Sequence, residues 1–396
     1  MNKNSVDRKA LRCYRLSRIR EQLQQRDYAA VVFFDPINIR YATDTSNMQV
    51  WVLHNPVRYA FVPLEGPVVL FDFHNCEHLS DGIETIGEVR PACGWDYFGA
   101  GANFQVKAEQ WAAEIADLVR AHGGGNKRLA IDNVNPEGAG ALMSHGVSLH
   151  NGKQVAEEAR VIKGAEELKA MKIAIAVCQE GMRRMREALR PGISENELWS
   201  VLHQTNIALG GEWIETRLLS SGPRTNPWFQ ECGDRVIEAG DLVSFDSDLI
   251  GPYGYCADIS RSWLCGDGKP SDEQRRLYAL AYEQIQHNTA LLKPGVGMFE
   301  FAHQSFKLPE ECVPNRYSVL IHGVGLCDEY PKAVYLEDLA HGEGYECMLA
   351  ENMVVCVESY MGAVGGHEGV KLEEQVLITG DGPVTLSSYP FEDAFV

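Results

Sequence analysis

The sequence predicts an α+β protein of two domains, an α/β domain at residues 1–156 and a second mixed domain at residues 157–396. Three observations support this fold class. The length favours two or three domains of ordinary size. The first part of the chain combines a helical pattern with several short apolar runs that are typical of strands. Two further helical patterns follow residue 157, where we place the domain boundary.

The first domain begins with a helical pattern over about residues 5–25. The apolar run at residues 29–34 stops at Asp35 and Pro36, which indicates a buried strand that ends in a turn. Further strands are predicted at residues 60–63, 68–73 and 128–131. In the segment HNPVR, Arg58 either binds a carboxylate ligand or pairs with an acidic side chain.

The second domain begins with the clearest helix of the sequence, at residues 165–189. Its apolar residues recur at steps of three and four and form one stripe, which indicates core packing. The stripe comprises Leu168, Met171, Ile175, Cys178, Met182, Met185 and Leu189. Arg190, Pro191 and Gly192 end this helix. A capping box from Ser194 to Glu197 then begins the next helix.

The bulk composition excludes several classes of partner. The net charge of -19 would repel a nucleic-acid backbone, and no cluster of lysine and arginine offsets it. No run of roughly 18 apolar residues is present to span a membrane. The eleven cysteines are scattered without CxxC spacing, as in proteins with reduced thiols. We therefore expect a cytoplasmic protein that binds neither nucleic acid nor membranes.

An acidic segment in the second domain indicates a functional site. Residues 241–248 (DLVSFDSD) form a predicted strand, in which alternation would direct Asp246 and Asp248 to the same side. After a turn, residues 256–263 (CADISRSW) could pair back and bring Asp258 opposite them. The alternative is that these are aspartates at the ends of loops. If the three carboxylates converge, their repulsion requires a cation or shared protons.

Further ligand candidates lie downstream. His322 follows an apolar run, Glu358 follows the apolar residues MVVCV, and Glu373 lies in a strand pattern. Each of these residues alone is weak evidence for a metal ligand. The order Asp, Asp, His, Glu, Glu along the chain is what favours a metal site. An oxygen-rich ligand set with one imidazole suits iron, manganese or cobalt, with zinc also open.

The sequence resembles the pita-bread superfamily, which includes methionine aminopeptidase, prolidase and creatinase. Five motifs carry this resemblance in order, namely RVIKGAEELKAMK, SGPRTNP, GDLVSFD, HGVGL and LEEQVLIT. The resemblance implies a creatinase/prolidase-type domain at residues 1–156 and a pita-bread catalytic domain at residues 157–396. It also implies a metal site made by Asp246, Asp248, Asp258, His322, Glu358 and Glu373.

The site departs from the peptidases of this superfamily in three places. Asp246 lies one residue too far from Asp258, and Asp248 one residue too close, to match the peptidase spacing. A peptidase histidine after the SGP segment is missing, and Trp228 lies in that neighbourhood. Asp328 occupies the place of a second histidine after HGVGL. Because amide hydrolysis needs proton donors, these losses disfavour ordinary peptidase chemistry.

A more specific resemblance accounts for these departures. The segments GPYGYCADISRSW, GEWIETRLLSSGPRTNPWFQECG, HGVGLCDEYP and NMQVWVLHNP resemble the DddP-type dimethylsulfoniopropionate lyases. This resemblance implies a homodimer that cleaves a small zwitterion to dimethyl sulfide and acrylate. It implies a divalent metal, iron first, with two ions possible and manganese, cobalt, zinc or nickel still open.

The same resemblance implies roles for individual residues. Asp328 would be the base, while Tyr317 and Trp51 would contact the substrate. We also expect Trp228 to offer an aromatic face to a cationic head group. The alternative for Asp328 is that it caps a turn or pairs with Lys332.

The sequence is compatible with two other functions. One is a metal-dependent C–N hydrolase of the same fold, similar to ectoine hydrolase or an aminopeptidase, in which Asp328 activates water. The other is a binding protein without catalysis, although a degenerate site usually loses a ligand and all the ligand positions are present here.

Overall fold

The structure, a computed structural model, describes residues 5–395. These residues divide into one compact unit at Val6–Arg160 and a second that begins at Val161. The boundary predicted near residue 157 falls inside the last helix of the first unit. Within the described residues, no helix has the length and apolarity to cross a membrane.

The N-terminal unit is built around a six-stranded mixed sheet. Its helices are α1 (Arg8–Gln25), α2 (Pro36–Thr43), α3 (Gln49–Val52), α4 (Tyr97–Ala100), α5 (Phe104–His122), α6 (Pro136–Ser144) and α7 (Gly152–Arg160). Its strands are β1 (Ala30–Phe33), β2 (Tyr59–Pro63), β3 (Val68–Asp72), β4 (Ile86–Pro91), β5 (Arg128–Ile131) and β6 (Ser148–Asn151). The strand order is β4-β3-β2-β1-β5-β6.

Local sequence signals explain where elements of this unit begin. The Asp7 side chain accepts a hydrogen bond from the Ala10 amide and caps α1. Asp35 caps α2, with Pro36 in the first turn of the helix, where its missing N–H costs nothing. The buried Trp111 of α5 packs with Trp95 in the core. The predicted first helix and strands are confirmed to within three residues at their ends.

The C-terminal unit combines helices with antiparallel sheets. Its helices are α8 (Ala165–Ala188), α9 (Glu195–Ala208), α10 (Asp272–Ala290), α11 (Met298–Gln304) and α12 (Leu336–Leu339). Its strands are β7 (Leu219–Ser221), β8 (Leu242–Phe245), β9 (Leu249–Ile250), β10 (Cys256–Ala257), β11 (Arg261–Leu264), β12 (Ile321–Val324), β13 (Asp328–Ala333), β14 (Val354–Met361), β15 (Val370–Thr379) and β16 (Gly382–Thr385).

Two sheets of this unit carry the functional residues. The larger is five-stranded, in the order β13-β12-β14-β15-β16, and α10 packs against β14 and β15. The other has the order β11-β8-β7. The predicted capping box is present at the start of α9, where Ser194 and Glu197 bond each other's backbone amides.

One predicted strand is wrong in its extent. Residues 241–248 do not form a continuous strand, because β8 ends at Phe245 and β9 begins at Leu249. Asp248 has a φ of 36°, in the left-handed region, so simple alternation does not apply. The segment at residues 256–263 is also divided, and Asp258 lies between β10 and β11. The expected pairing back is nevertheless confirmed, because β10 pairs with β9 and β11 with β8.

Candidate metal centre

One face of the five-stranded sheet presents a row of polar side chains. Glu358 on β14 lies directly opposite Glu373 on β15. Because side chains alternate along a strand, Lys371 of β15 shares this face with Glu373, and Cys356 of β14 shares it with Glu358. His322 of β12 lies opposite Cys356. The antiparallel register therefore gathers an imidazole, two carboxylates and an ammonium group in a small area.

The aspartates reach the same place from an irregular connection. Ser247 holds this connection in position, because its hydroxyl donates to the Ala257 carbonyl and accepts from the Ile259 amide, each at 2.9 Å. Asp246 and Asp248 stand on either side of this serine. The Asp248 amide in turn points to an Asp258 carboxylate oxygen at 3.4 Å. The three aspartates converge as predicted, through this irregular geometry instead of strand alternation.

The ligand atoms of these residues lie within metal-binding distance of one another. Three overlapping groups each have atoms within 4.8 Å of one another. They are Asp258, His322, Cys356 and Glu373; Asp246, Glu358 and Glu373; and Asp246, Asp248 and Asp258. All six residues predicted as metal ligands belong to these groups. Their role as ligands remains a prediction.

The imidazole of His322 faces three of these carboxylates. Its Nε2 is 3.2 Å from Glu358 Oε1, 3.6 Å from Asp258 Oδ2 and 3.8 Å from Glu373 Oε1. Its Nδ1 lies 3.0 Å from the Gly323 carbonyl, an acceptor that would leave Nε2 free to bind a metal. The ring is thus held by its neighbours in the orientation that a ligand needs.

The crowding of negative charge alters the acidity of the whole site. Burial and the charges of Glu373 and Asp246 raise the pKa of Asp258 well above its ordinary value. Burial and the charges of Asp246 and Glu358 likewise raise the pKa of Glu373. Burial alone would lower the pKa of His322, but the charges of Asp328 and Glu358 raise it well above the usual range. Repelling carboxylates of this kind favour binding of a cation.

The residues present fit a divalent metal. Glu373 Oε1 is buried and accepts no hydrogen bond, although it faces His322 Nε2 at 3.8 Å. An orphaned carboxylate oxygen of this kind is costly unless it has a partner such as a metal ion. The other available atoms are carboxylate oxygens and one imidazole nitrogen, a set that suits iron or manganese.

Sequence reasoning missed Lys371, the one lysine within this cluster. It is completely buried, and its Nζ lies 2.6 Å from Glu358 Oε2 and 3.1 Å from Asp246 Oδ2. Nζ is also 2.7 Å from the hydroxyl of Ser260. The signal that could have found Lys371 is its position two residues before Glu373, which places both on one face of β15.

Asp328 begins β13 at the edge of this centre. Its Oδ1 lies 3.8 Å from His322 Nδ1, and its side chain is 43% exposed. Among the described residues it forms no ion pair with Lys332, so that alternative is not supported. Asp328 is therefore a carboxylate beside the metal centre that solvent, and hence a small ligand, can reach.

Aromatic side chains lie next to the centre. The ring centroid of Tyr317 is 4.5 Å from Lys371 Nζ and 5.1 Å from the ring of Phe229, which is 54% exposed. The Trp228 ring lies 6.0 Å from the same Nζ, and its own Nε1 is buried without a hydrogen-bond partner. Phe229 and Tyr317 also line a cavity of about 470 Å³. Tyr317 and Trp228 thus adjoin the ligand cluster, and their contact with a substrate stays a prediction.

Trp51 belongs to the N-terminal unit. Its side chain is 36% exposed and lies 5.8 Å from the ring of Phe73 and 6.5 Å from that of Phe98. The neighbouring side chains of Met48 and Leu53 are each more than half exposed. These residues form an exposed apolar patch around α3. The predicted role of Trp51 in a substrate pocket is not tested by this geometry.

Two family models match the chain. The model of the creatinase/prolidase N-terminal domain matches residues 15–162, and that of metallopeptidase family M24 matches residues 169–380. The order of these domains confirms the predicted α+β fold class, with a creatinase/prolidase-type domain before a pita-bread domain. Family M24 also implies that the second domain binds a divalent metal.

Curated proteins are similar over almost the whole chain. The dimethylsulfoniopropionate lyase DddP of Roseovarius nubinhibens is 45% identical over 395 residues, which cover 98% of this chain and 88% of that protein. The protein of the same name from Roseobacter denitrificans is 42% identical over 397 residues, with the same shares covered.

Solved structures of prolidases are similar in fold. The prolidase of Thermococcus sibiricus has a TM-score of 0.76 at 21% identity, and the match covers 96% of this chain and 98% of that one. The prolidase of Pyrococcus horikoshii has a TM-score of 0.74 at 21% identity, covering 96% of this chain and 99% of that one. At this level of identity the likeness shows the fold alone.

Proposed function

This chain belongs to the family of the dimethylsulfoniopropionate lyases DddP, and we propose that it cleaves dimethylsulfoniopropionate to dimethyl sulfide and acrylate at the centre described above. It is an enzyme of the carbon–sulfur lyase class, built on the metal-dependent pita-bread fold. The observation that carries the mechanism is the solvent-accessible carboxylate of Asp328 beside His322.

The metal would be held by Asp246, Asp248, Asp258, His322, Glu358 and Glu373. We propose iron, with room for two ions, because the donor set is rich in oxygen and has one imidazole. A bound divalent ion would polarise the substrate carboxylate and make the neighbouring C–H bond more acidic.

Asp328 is the proposed base. Its carboxylate removes the proton from the carbon next to the substrate carboxylate. The electron pair of that C–H bond forms the double bond of acrylate. The bond between the next carbon and sulfur breaks, and its electrons leave with dimethyl sulfide. Atoms and charge balance without any further reactant.

The aromatic residues Tyr317 and Trp228 are the proposed binding surface for the sulfonium group. An aromatic face attracts a desolvated cation within about 6 Å of its ring centre. Both rings lie beside the ligand cluster, as their distances to Lys371 Nζ show. Trp51 is proposed to contribute from the partner subunit of a homodimer.

A homodimer is supported by the exposed patch of the N-terminal unit. Besides Trp51, the side chains of Tyr97 and Phe98 are 74% and 81% exposed. Exposed aromatic groups of this kind are typical of protein interfaces. Light scattering that gave the mass of a single chain at working concentrations would contradict the dimer.

The cytoplasm is the proposed compartment. All eleven cysteines lie within the described residues, and none of them forms a disulfide there. Thiols that are not oxidised, several of them exposed or half-buried, suit a reducing environment.

The second candidate is a C–N hydrolase of the same fold, favoured by one observation. Asp328 is accessible, and a carboxylate beside a metal centre can also activate water. The two functions give different products. Purified protein loaded with iron should release dimethyl sulfide into the headspace above a dimethylsulfoniopropionate solution. Release of an amine from ectoine-like or peptide substrates, with no dimethyl sulfide, would favour the hydrolase.

Replacing Asp328 tests the base directly. We expect Asp328→Asn to keep metal content and substrate binding while turnover falls by at least ~10²-fold, the usual contribution of a positioned base. Calorimetry and metal analysis check binding, and dimethyl sulfide release checks turnover. The exposed Asp381 in the β15–β16 turn provides the matched control, and Asp381→Asn should retain full turnover.

A second measurement addresses the proton transfer itself. Deuterium next to the substrate carboxylate should slow the reaction if proton removal limits the rate. Near-normal turnover of the folded Asp328→Asn protein would exclude Asp328 as the base and favour hydrolysis by metal-bound water.

A further inference from the structure

Lys371 contacts the carboxylates of one complete ligand group. This group consists of Asp246, Glu358 and Glu373, whose oxygen atoms lie within 4.8 Å of one another. Lys371 Nζ is 3.1, 2.6 and 3.4 Å from these three residues, in the same order. The side chain is fully buried, so no solvent competes for its positive charge.

The lysine and the histidine contact different oxygens of the same carboxylates. Nζ approaches Oε2 of Glu358 and of Glu373. His322 Nε2 approaches Oε1 of both residues, at 3.2 and 3.8 Å. The Oε1 atoms on the histidine side are therefore available to a metal while the Oε2 atoms are already bound to the lysine. Lysine and metal need not compete for one atom.

Ser260 also contacts carboxylates of this group. Its hydroxyl lies 2.7 Å from Lys371 Nζ and 2.8 Å from both Asp246 Oδ1 and Glu373 Oε2. On Glu373 the ammonium and the hydroxyl both contact Oε2, whereas on Asp246 the ammonium contacts Oδ2 and the hydroxyl contacts Oδ1. Each carboxylate is thus fixed in rotation about its terminal bond.

We propose that Lys371 is a positioning residue of the metal centre: it holds the Oε2 atoms of Glu358 and Glu373 so that their Oε1 atoms face the metal, and it anchors Asp246 through Oδ2. The proposal rests on the metal centre of the proposed function and does not depend on which substrate is cleaved. In this role Lys371 contacts the metal-binding carboxylates but does not itself bind the metal.

Electrostatics give the reason why such a cation helps metal binding. Five buried carboxylates repel one another, and rotation away from the centre would relieve that repulsion. The Lys371 ammonium group attracts three of them and opposes this rotation. Groups that orient metal ligands in this way typically contribute 10- to 100-fold to metal affinity.

The test is the metal affinity of Lys371→Met, which removes the charge and keeps a side chain of similar length. We expect its affinity for Fe²⁺ or Co²⁺ to fall by roughly 10- to 100-fold relative to the wild type. Titration of metal-free protein with Co²⁺ and metal analysis after dialysis measure this without reference to catalysis.

Lys163 provides the control. Its side chain is 2% exposed and forms an ion pair with the buried Glu329 in the same unit. Lys163→Met should lower stability, as loss of a buried charge partner does, and leave Co²⁺ affinity unchanged. If both lysine variants change affinity equally, the effect is a general one of buried charge and the proposal is overturned.

Ser260→Ala keeps the lysine and removes the hydroxyl that holds it. Its metal affinity should also fall, by a smaller factor than in Lys371→Met. If Lys371→Met does not fold, the metal affinity of Ser260→Ala tests the proposal instead. Unchanged or tighter Co²⁺ binding by a folded Lys371→Met protein would also overturn the proposal, because the lysine would then compete with the metal. Failure of the wild type to bind any metal would instead reject the proposed function.

Discussion

A buried ion pair of the N-terminal unit and the acidic cluster of the C-terminal unit differ in whether their charges cancel. In the N-terminal unit, Arg58 and Asp72 are 2% and 1% exposed, and Arg58 Nε donates to Asp72 Oδ2 over 2.9 Å. The other Asp72 oxygen accepts from the Phe73 amide at 2.8 Å. One positive charge meets one negative charge, and the hydrogen bonds around them are satisfied.

The candidate metal centre of the C-terminal unit has no such balance. Five buried carboxylates share a space with one lysine and one histidine. These acids are Asp246, Asp248, Asp258, Glu358 and Glu373. The excess negative charge can be offset only by protons or by cations from solution.

This difference in charge balance distinguishes a buried ion pair with a structural role from a buried acidic cluster with a functional one. The sequence left open whether Arg58 binds a ligand or pairs with an acid, and its contacts with Asp72 favour the structural role. A buried cluster with an excess of one sign of charge is a candidate for a ligand site. Three experiments test this contrast, and they follow in order of decreasing expected effect.

The largest effect should follow from removing Asp258, which belongs to two of the three ligand groups. In Asp258→Ala we expect bound metal to fall to background and dimethyl sulfide release to be lost, since two of the three groups each lose a carboxylate. Metal analysis and headspace detection measure both. Chelation of the wild type should have the same effect. Full activity in a preparation verified as metal-free would contradict the metal centre.

A smaller effect, on stability alone, is expected from the balanced pair. Arg58→Met leaves Asp72 buried without its partner and should lower the free energy of unfolding by about 3–5 kcal/mol. The double variant Arg58→Met/Asp72→Leu removes both charges and should recover most of that loss. Urea unfolding measures each variant. Equal losses in the single and double variants would show that packing, and not charge balance, is decisive.

The smallest expected effect concerns Asp132, a half-buried acid held by hydrogen bonds. It accepts from the Phe34 amide at 2.7 Å and from Asn38 Nδ2 at 2.9 Å, and burial raises its pKa to about 6. Because the folded protein holds this proton more tightly than the unfolded chain, its contribution to stability is present at low pH and is lost as the pH rises through about 6.

The size of the Asp132 effect follows from this shift. From an unfolded pKa of about 3.9, the contribution should fall by about 1.4 kcal/mol between about pH 5 and about pH 8. The measurement is the difference in unfolding free energy between the wild type and Asp132→Asn at several pH values. A difference that stays constant over this range would rule out titration of Asp132.

Much of the fold followed from local patterns. The stripe of α8 and the capping box of α9 were visible in the sequence because helical spacing and caps are local properties. The six predicted ligand residues are brought together, but the strand alternation expected for Asp246 and Asp248 was wrong. A left-handed residue between two short strands leaves no periodic signal in the sequence.

Lys371 shows why the rest of the site was missed. In the sequence it is a lysine in a strand pattern, and lysine is almost never fully buried unless it is paired. Its spacing from Glu373 is visible in the sequence, but the contact with Glu358 depends on the register between β14 and β15. Long-range pairing of this kind becomes apparent only once the strands have been placed.

The left-handed backbone of Asp248 also restricts what evolution can do at this position. Its φ of 36° suits glycine, and among other residues aspartate and asparagine adopt such values most readily. Glycine offers no ligand atom, asparagine lacks the charge, and glutamate is poorly suited to the backbone. For the predicted role of Asp248 as a metal ligand, aspartate therefore meets both demands, whereas each of these replacements would lose either the charged ligand or the backbone fit.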